Sequence, residues 1–200
     1  MNSYIYVEGN ATFSHNSAVS FGGALFASQM DYGPTLTGVT FSGNTADAGG
    51  AVYFSAVGTD VYLSSGSEYQ DIAVYASTFN ACRFDNNSAS SSGGAIHSVA
   101  GSDYVTNTIF VMNLADIGGA MRVSGVVYLS SSIFEDNVSG DGGGPAVSND
   151  GVISKVTGLV FSGNVYYCSP DTFVDINEVS LACCALTMPF PNHDTDVAFL

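Results

Sequence analysis

Positive charge is what this 200-residue chain has least of. Lysine and arginine total 3 against 18 acidic residues, for a formal net charge of −15 and a pI of about 4.1. A surface this acidic repels phosphate backbones and anionic membranes, so no nucleic-acid partner is expected. It also argues against polyanionic substrates such as uronate glycans. No run reaches the roughly 18 to 20 apolar residues of a membrane-spanning helix, so no transmembrane segment is expected. Met1–Asn10 has neither the basic region nor the apolar run of a leader. Because a repeat is already under way at Phe13, the chain reads as a piece of a longer protein. Cysteine is sparse: Cys82, Cys168, Cys183 and Cys184 include no C-x₂-C pair of the kind that holds zinc. Three of them lie near the C-terminus, compatible with a disulfide in an oxidising compartment. The charged fraction is only 10% while 46% of residues are hydrophobic, so this is not a disordered acidic tail.

What the chain has instead is a repeat. Six segments read Phe-x-x-Asn: Phe13 to Asn16, Phe41 to Asn44, Phe84 to Asn87, Phe110 to Asn113, Phe134 to Asn137 and Phe161 to Asn164. Five are followed by a glycine pair and a small-then-apolar step: Gly22-Gly23, Gly49-Gly50, Gly93-Gly94, Gly118-Gly119 and Gly143-Gly144, the last with Pro145 as an apparent insertion. The phenylalanines are 28, 43, 26, 24 and 27 residues apart, and each glycine pair begins 9, 8, 9, 8 and 9 residues after its phenylalanine. Two motifs recurring at two fixed offsets define a structural repeat, which decides the fold before any local propensity does.

A period in the mid-twenties fits one coil of a right-handed parallel β-helix, with three short strands and three turns per coil. About six coils, rising roughly 4.8 Å each, make a short rod. The phenylalanines point inward and stack from coil to coil. The asparagines end the strand, taking up the left-handed backbone of a tight corner, and hydrogen-bond along the axis. The glycine pairs allow positive φ and a close approach between coils. Period-2 alternation turns the residue two before each phenylalanine inward as well: Ala11, Val39, Cys82, Thr108, Ser132 and Leu159. Cys82 is therefore a core residue and not a nucleophile. The 43-residue interval holds a lateral loop or degenerate coil over residues 53–79, the segment expected to meet a ligand or partner. Residues 1–164 form the repeat domain. Residues 165–200 leave the pattern and are expected to cap it or to begin a cysteine-containing neighbour.

Alternating FxxN and GGA[I/L/V] motifs resemble the repeats of the polymorphic outer membrane proteins of chlamydiae, over residues 13–164. That resemblance implies a β-helical module displayed at the cell surface or outer membrane, or secreted. It also implies structural presentation or adhesion to a host or neighbouring cell-surface protein or glycan.

The sharper chemical readings are weaker. A polysaccharide lyase needs a basic proton acceptor and a cationic cluster. The cations here are Arg83, Arg122 and Lys155, in different coils, with Arg83 facing solvent. Asp85, Asp116, Glu135, Asp136, Asp141 and Asp150 show no spacing that selects a catalytic pair. Gly140-Asp141-Gly142-Gly143 is a single, non-periodic echo of a calcium loop. His15, His97 and His193 lack metal-ligand spacing. An ice-binding face would repeat Thr35, Thr37 and Thr40 in other coils, and the sequence shows no such repetition. Asn10, Asn86 and Asn137 begin glycosylation sequons. No catalytic residue, cofactor or metal is expected, and the alternative to adhesion is a carbohydrate-binding or polysaccharide-cleaving β-helix.

Overall fold

A computed structural model of the chain describes residues 4–30, 32–56, 76–99, 101–140, 143–150 and 152–166. Every described element is a short β-strand, and every pairing between strands is parallel. The strands stack into four sheets that wrap around one core, a parallel β-solenoid of about five turns. The first sheet contains Tyr6–Glu8, Thr35–Thr37, Ala76–Asn80, Ser102–Thr106, Val126–Ser130 and Val152–Thr157. The second carries the phenylalanines, in Thr12–Ser14, Thr40–Ser42, Arg83–Asp85, Ile109–Val111, Ile133–Glu135 and Val160–Ser162. The third follows the asparagines: Thr45–Ala48, Ser88–Ser92, Leu114–Ala115, Val138–Ser139 and Val165–Tyr166. The fourth follows the glycine corners: Leu25–Met30, Val52–Ala56, Ile96–Val99, Met121–Val123 and Val147–Asn149.

Four strands per coil replace the three expected from the period. The extra corner separates the first sheet from the second and is made by one left-handed residue per coil. These are Gly38, Ala81, Asn107, Ser131 and Gly158, with φ of 67°, 52°, 51°, 49° and 61°. A single left-handed residue turns the chain without any motif long enough to read in the sequence. The 43-residue interval is also more regular than expected. Residues 53–56 and 76–79 are strand, in register with the coils on either side; the remainder, 57–75, lies outside the described residues. The expected C-terminal cap, with Cys168, Cys183 and Cys184, also lies outside them beyond residue 166.

The core is one column of phenylalanines flanked by aliphatics. Phe13, Phe41, Phe84, Phe110, Phe134 and Phe161 stack with ring centroids 5.1, 5.0, 5.0, 4.8 and 5.2 Å apart and planes within 14°. The four inner rings are fully buried. Each burial is worth roughly 2 to 3 kcal/mol. Ring contacts on both faces add about 0.5 to 1.5 kcal/mol per pair. Leu36, Phe79, Val105 and Leu129 line the first sheet, and Val52, Ile96 and Met121 the fourth. Val39, Cys82, Thr108 and Ser132 fill the inward position two before the phenylalanine.

The asparagine does not adopt the left-handed conformation expected of it. The residue before it does: His15, Gly43, Asn86, Met112, Asp136 and Gly163 have φ of 54°, 63°, 53°, 52°, 50° and 61°. That residue makes the corner and frees the asparagine to point inward. There its amide is used completely. The Asn87 Nδ2 donates to Asn113 Oδ1 at 3.0 Å and to the Phe41 carbonyl at 3.1 Å. Its Oδ1 accepts from the Asn44 Nδ2 at 2.9 Å and the Asn44 backbone N–H at 3.0 Å. Asn44, Asn113 and Asn137 repeat the pattern. Four bonds per amide make burial of so polar a group tolerable.

At the glycine corner the two glycines have different duties. The first, such as Gly93 at φ 63°, supplies the left-handed turn. The second is a contact point: a Cβ on Gly94 would collide with the carbonyl oxygens of Gly119 and Leu114 in the next coil. The fifth corner is displaced by one residue from the reading as Gly143-Gly144 plus an inserted proline. Met121 pairs with Val147, and the Gly119 N–H donates to the Gly144 carbonyl as the Gly94 N–H does to Gly118. Gly144 therefore takes the first-glycine position and Pro145 the second. Pro145 keeps the carbonyl that the corner uses and gives up only its N–H. The extra residue lies before Gly144.

Candidate ligand surface

Because the interior repeats, chemistry that differs from coil to coil lies outside. On the fourth sheet the outward position forms one column, set by strand register: Phe26, Tyr53, His97, Arg122 and Ser148. Phe21, from the arc before the first glycine corner, joins its aromatic end. The Phe21 and Tyr53 ring centroids are 4.6 Å apart, Phe26 and Tyr53 5.6 Å, and Phe21 and Phe26 5.9 Å. Phe21 is 43% exposed, Phe26 53% and the adjoining Val19 95%. With Ala18, Ser20, Gly22 and Ala24 they line an open cleft of about 520 Å³. Tyr53 continues to His97 at 5.2 Å, and burial raises its hydroxyl pKa.

The other end of the column is polar. The Ser92 hydroxyl lies 2.8 Å from His97 Nδ1. The Arg122 guanidinium donates to Ser148 Oγ at 2.6 Å and pairs with Asp150. Burial, then the positive charge of Arg122, pushes the His97 pKa down to about 4, with Asp150 pulling the other way. A neutral histidine against a serine hydroxyl is the first half of a nucleophilic pair. The second half does not follow. Ser92 is itself buried, and the adjacent Gly93 and Gly94 N–H groups donate to the Ile117 and Gly118 carbonyls, so neither is left to stabilise an oxyanion. The pair fixes the ring beside the glycine corner.

The first sheet carries a second outward column. Thr37, Asn80, Thr106, Ser130 and Thr157 are in register, and the neighbouring one reads Tyr6, Thr35, Thr78, Tyr104, Tyr128 and Lys155. Tyr104 and Tyr128 stack at 4.5 Å with planes 2° apart. Tyr4, Tyr6 and Tyr32 border an open cleft of about 420 Å³ beside Gly33, Thr35 and Ala76. The hydroxyl repetition that the sequence reading found in one coil alone therefore continues as a mixed Thr, Asn and Ser column. A constant offset of four residues before each phenylalanine, from Phe41 onward, is the signal that finds it. The fourth-sheet column likewise lies four residues after the first glycine of each corner, counting from Gly144 in the last.

The chain's three cations occupy three different sheets. Arg83 pairs with Asp85 at 3.1 Å on the second, Arg122 is on the fourth and Lys155 on the first. Asp85, Asp116, Glu135, Asp136 and Asp150 are not gathered: no group of three or more metal-ligating side chains occurs among the described residues. Asp141 and His193 lie outside them. His15 is an exposed corner residue, and burial raises the Cys82 thiol pKa. Of the sequons, Asn10 and Asn86 are exposed, whereas Asn137 is buried in the ladder. Thr35 and Thr37 face out from the first sheet, but Thr40 belongs to the second.

Residues 10–28, 38–55 and 81–99 each match the Chlamydia polymorphic membrane protein repeat. Those three segments are similar to this family's repeat. Each match runs from the start of the phenylalanine strand through the glycine corner into the fourth sheet of one coil, for the first three coils. The later coils continue the Phe-x-x-Asn pattern in strand register with the matched ones. The family that this repeat is named for is one of membrane proteins, which implies a place at the surface or outer membrane. No curated protein and no solved structure matches the chain. Among the described residues no helix is long and apolar enough to cross a membrane.

Proposed function

We propose that the chain is a non-catalytic adhesive module, a rigid β-solenoid that presents its lateral faces to a protein or glycan of a host or neighbouring cell. The observation that carries this reading is the contrast at the strand surface. The inward phenylalanine and asparagine repeat in every coil, while the fourth-sheet column changes from Phe26 to Tyr53, His97, Arg122 and Ser148. A column under only structural demand would repeat like its interior neighbour. Exposed aromatic side chains beside small residues are the composition of a recognition patch, and Tyr and Phe provide large contact area with few rotatable bonds.

The test is binding of the purified, fluorescently labelled chain to candidate host cells, comparing wild type with Phe26→Ser/Tyr53→Ser. Adhesion through the column predicts a loss of at least about tenfold in affinity, one hot-spot pair's worth, at unchanged circular dichroism. Equal binding by the two proteins removes the proposal. A depolymerisation assay on neutral and acidic glycans addresses the cleavage alternative, and release of oligosaccharides would replace the adhesive reading by an enzymatic one.

A further inference from the structure

Four outward positions recur around the phenylalanine–asparagine corner: two on the second-sheet strand, the left-handed corner residue, and the first residue of the third-sheet strand. In the second coil they are Thr40, Ser42, Gly43 and Thr45; in the third, Arg83, Asp85, Asn86 and Ser88. In the fourth they are Ile109, Val111, Met112 and Leu114, in register with those before. Among the described coils, only the fourth is apolar at all four. Ile133 and Val138 extend the patch into the fifth coil, where Glu135 and Asp136 hold the middle two positions.

Two observations set this patch apart from scattered surface residues. Met112 is 50% exposed and Leu114 46%, in a coil that has a described coil on either side. Their exposure is therefore lateral and owes nothing to an end of the stack. Met112 also holds φ at 52°, a left-handed backbone that a bulky side chain takes on only with strain, where the second coil has Gly43. Glycine meets the folding demand at that corner, so the methionine side chain answers to something else.

Carboxylates border the patch. Glu135 and Asp136 are exposed and, among the described residues, in no ion pair; Asp116 is exposed two residues beyond Leu114. Arg83, in register with Ile109, is paired with Asp85 at 3.1 Å, and Arg122 and Lys155 lie on the fourth and first sheets.

We propose that this patch binds a basic amphipathic helix of another protein, with its apolar stripe on Ile109, Met112, Leu114 and Ile133 and its lysines or arginines on Glu135 and Asp136. Charge selects this occupant. A second copy packed face to face would oppose the same carboxylates. Anionic lipid and nucleic acid are repelled by a chain of net charge −15. An apolar strip edged by carboxylates is complementary to the stripe and flanking cations of such a helix, and the flexible thioether of methionine adapts to the side chains it meets. The site lies on the second and third sheets, so it goes beyond the adhesive reading of the fourth-sheet column and does not depend on it.

The test is fluorescence anisotropy of a labelled helical peptide of leucine and lysine, titrated with the full chain. Wild type should bind it. Met112→Ser/Leu114→Ser should weaken binding at least about tenfold. Glu135→Gln/Asp136→Asn should weaken it and flatten its salt dependence. Circular dichroism checks that both variants fold. A scrambled peptide of the same composition, which has no apolar stripe, should bind wild type as weakly as the striped one binds the Met112→Ser/Leu114→Ser protein. Equal binding of the striped peptide by wild type and that folded variant leaves only diffuse charge attraction and overturns the proposal. So does equal or tighter binding of a leucine–glutamine helix, which has no cation for the carboxylates. Dimerisation of wild type that Met112→Ser/Leu114→Ser abolishes would give the patch to a second copy and overturn it as well.

Discussion

At the phenylalanine–asparagine corner all six coils present the same two side chains, whereas on the fourth sheet five consecutive coils present Phe26, Tyr53, His97, Arg122 and Ser148. Both columns obey the same strand register. What separates them is who the neighbour is. An inward asparagine has another asparagine as its partner on each side, so any change leaves buried donors and acceptors unmatched in two coils at once. An outward residue has water for a neighbour, and its identity is open to selection for something other than the fold.

That comparison is broken most strongly by removing one inner ring. Phe110→Ala deletes a ring stacked on both faces and should cost about 3 to 5 kcal/mol in reversible denaturant unfolding; a loss within the range of surface substitutions would refute the stack as the main source of cohesion. Next comes Asn113→Ala, which removes four hydrogen bonds and strands their partners in the core. The expected cost is about 3 kcal/mol, read from the same unfolding curves.

A third prediction tests an outward residue that is tied down. The His97 pKa is lowered from 6.5 to about 4 in the folded chain, so the unfolded chain binds the additional proton between those values. Stability is then complete above about pH 6.5 and falls as the pH drops towards 4. The total is about 2 kcal/mol after allowance for the ring's exposed part. Unfolding free energies measured across this window should decline more steeply for wild type than for His97→Gln; parallel curves would mean the ring is not held neutral.

Smaller effects sharpen the contrast. Met112 is a bulky residue at φ 52° and 50% exposed, where coils two and six have Gly43 and Gly163. Met112→Gly should stabilise by about 0.5 to 1 kcal/mol by relieving the left-handed backbone, seen as a raised unfolding midpoint. Thr37→Ala, in the outward column of the first sheet, should change stability by no more than about 0.5 kcal/mol.

Much of the fold was legible because its determinants are periodic. Phe-x-x-Asn and Gly-Gly recur at fixed offsets, and the inward set at Val39, Cys82, Thr108 and Ser132 followed from alternation alone. The fourth strand per coil was not legible, because its corner is one residue that is Gly38, Ala81, Asn107, Ser131 or Gly158 in turn. A left-handed position bordered by regular strand tolerates several residue types and leaves no motif. The fifth glycine corner was read one residue early because Gly143 and Gly144 look like the pair, while hydrogen-bond register assigns Gly144 and Pro145. The candidate ligand column was missed although its offset from the glycines is constant. Its residues share no chemistry, and a search for recurring residue types passes over a position that recurs only in space.

The sequence by itself determined that the chain coils, with what period, and which side chains fill the axis, since each of those depends on residue types recurring at set intervals. Only the tertiary structure decided which outward residues become neighbours. Register brings Tyr53, His97 and Arg122 together from positions 44 and 25 residues apart, and gives the asparagine ladder its direction. Both arise from stacking one coil on the next, where the contact between residues is set by the rise of the solenoid and not by distance along the chain.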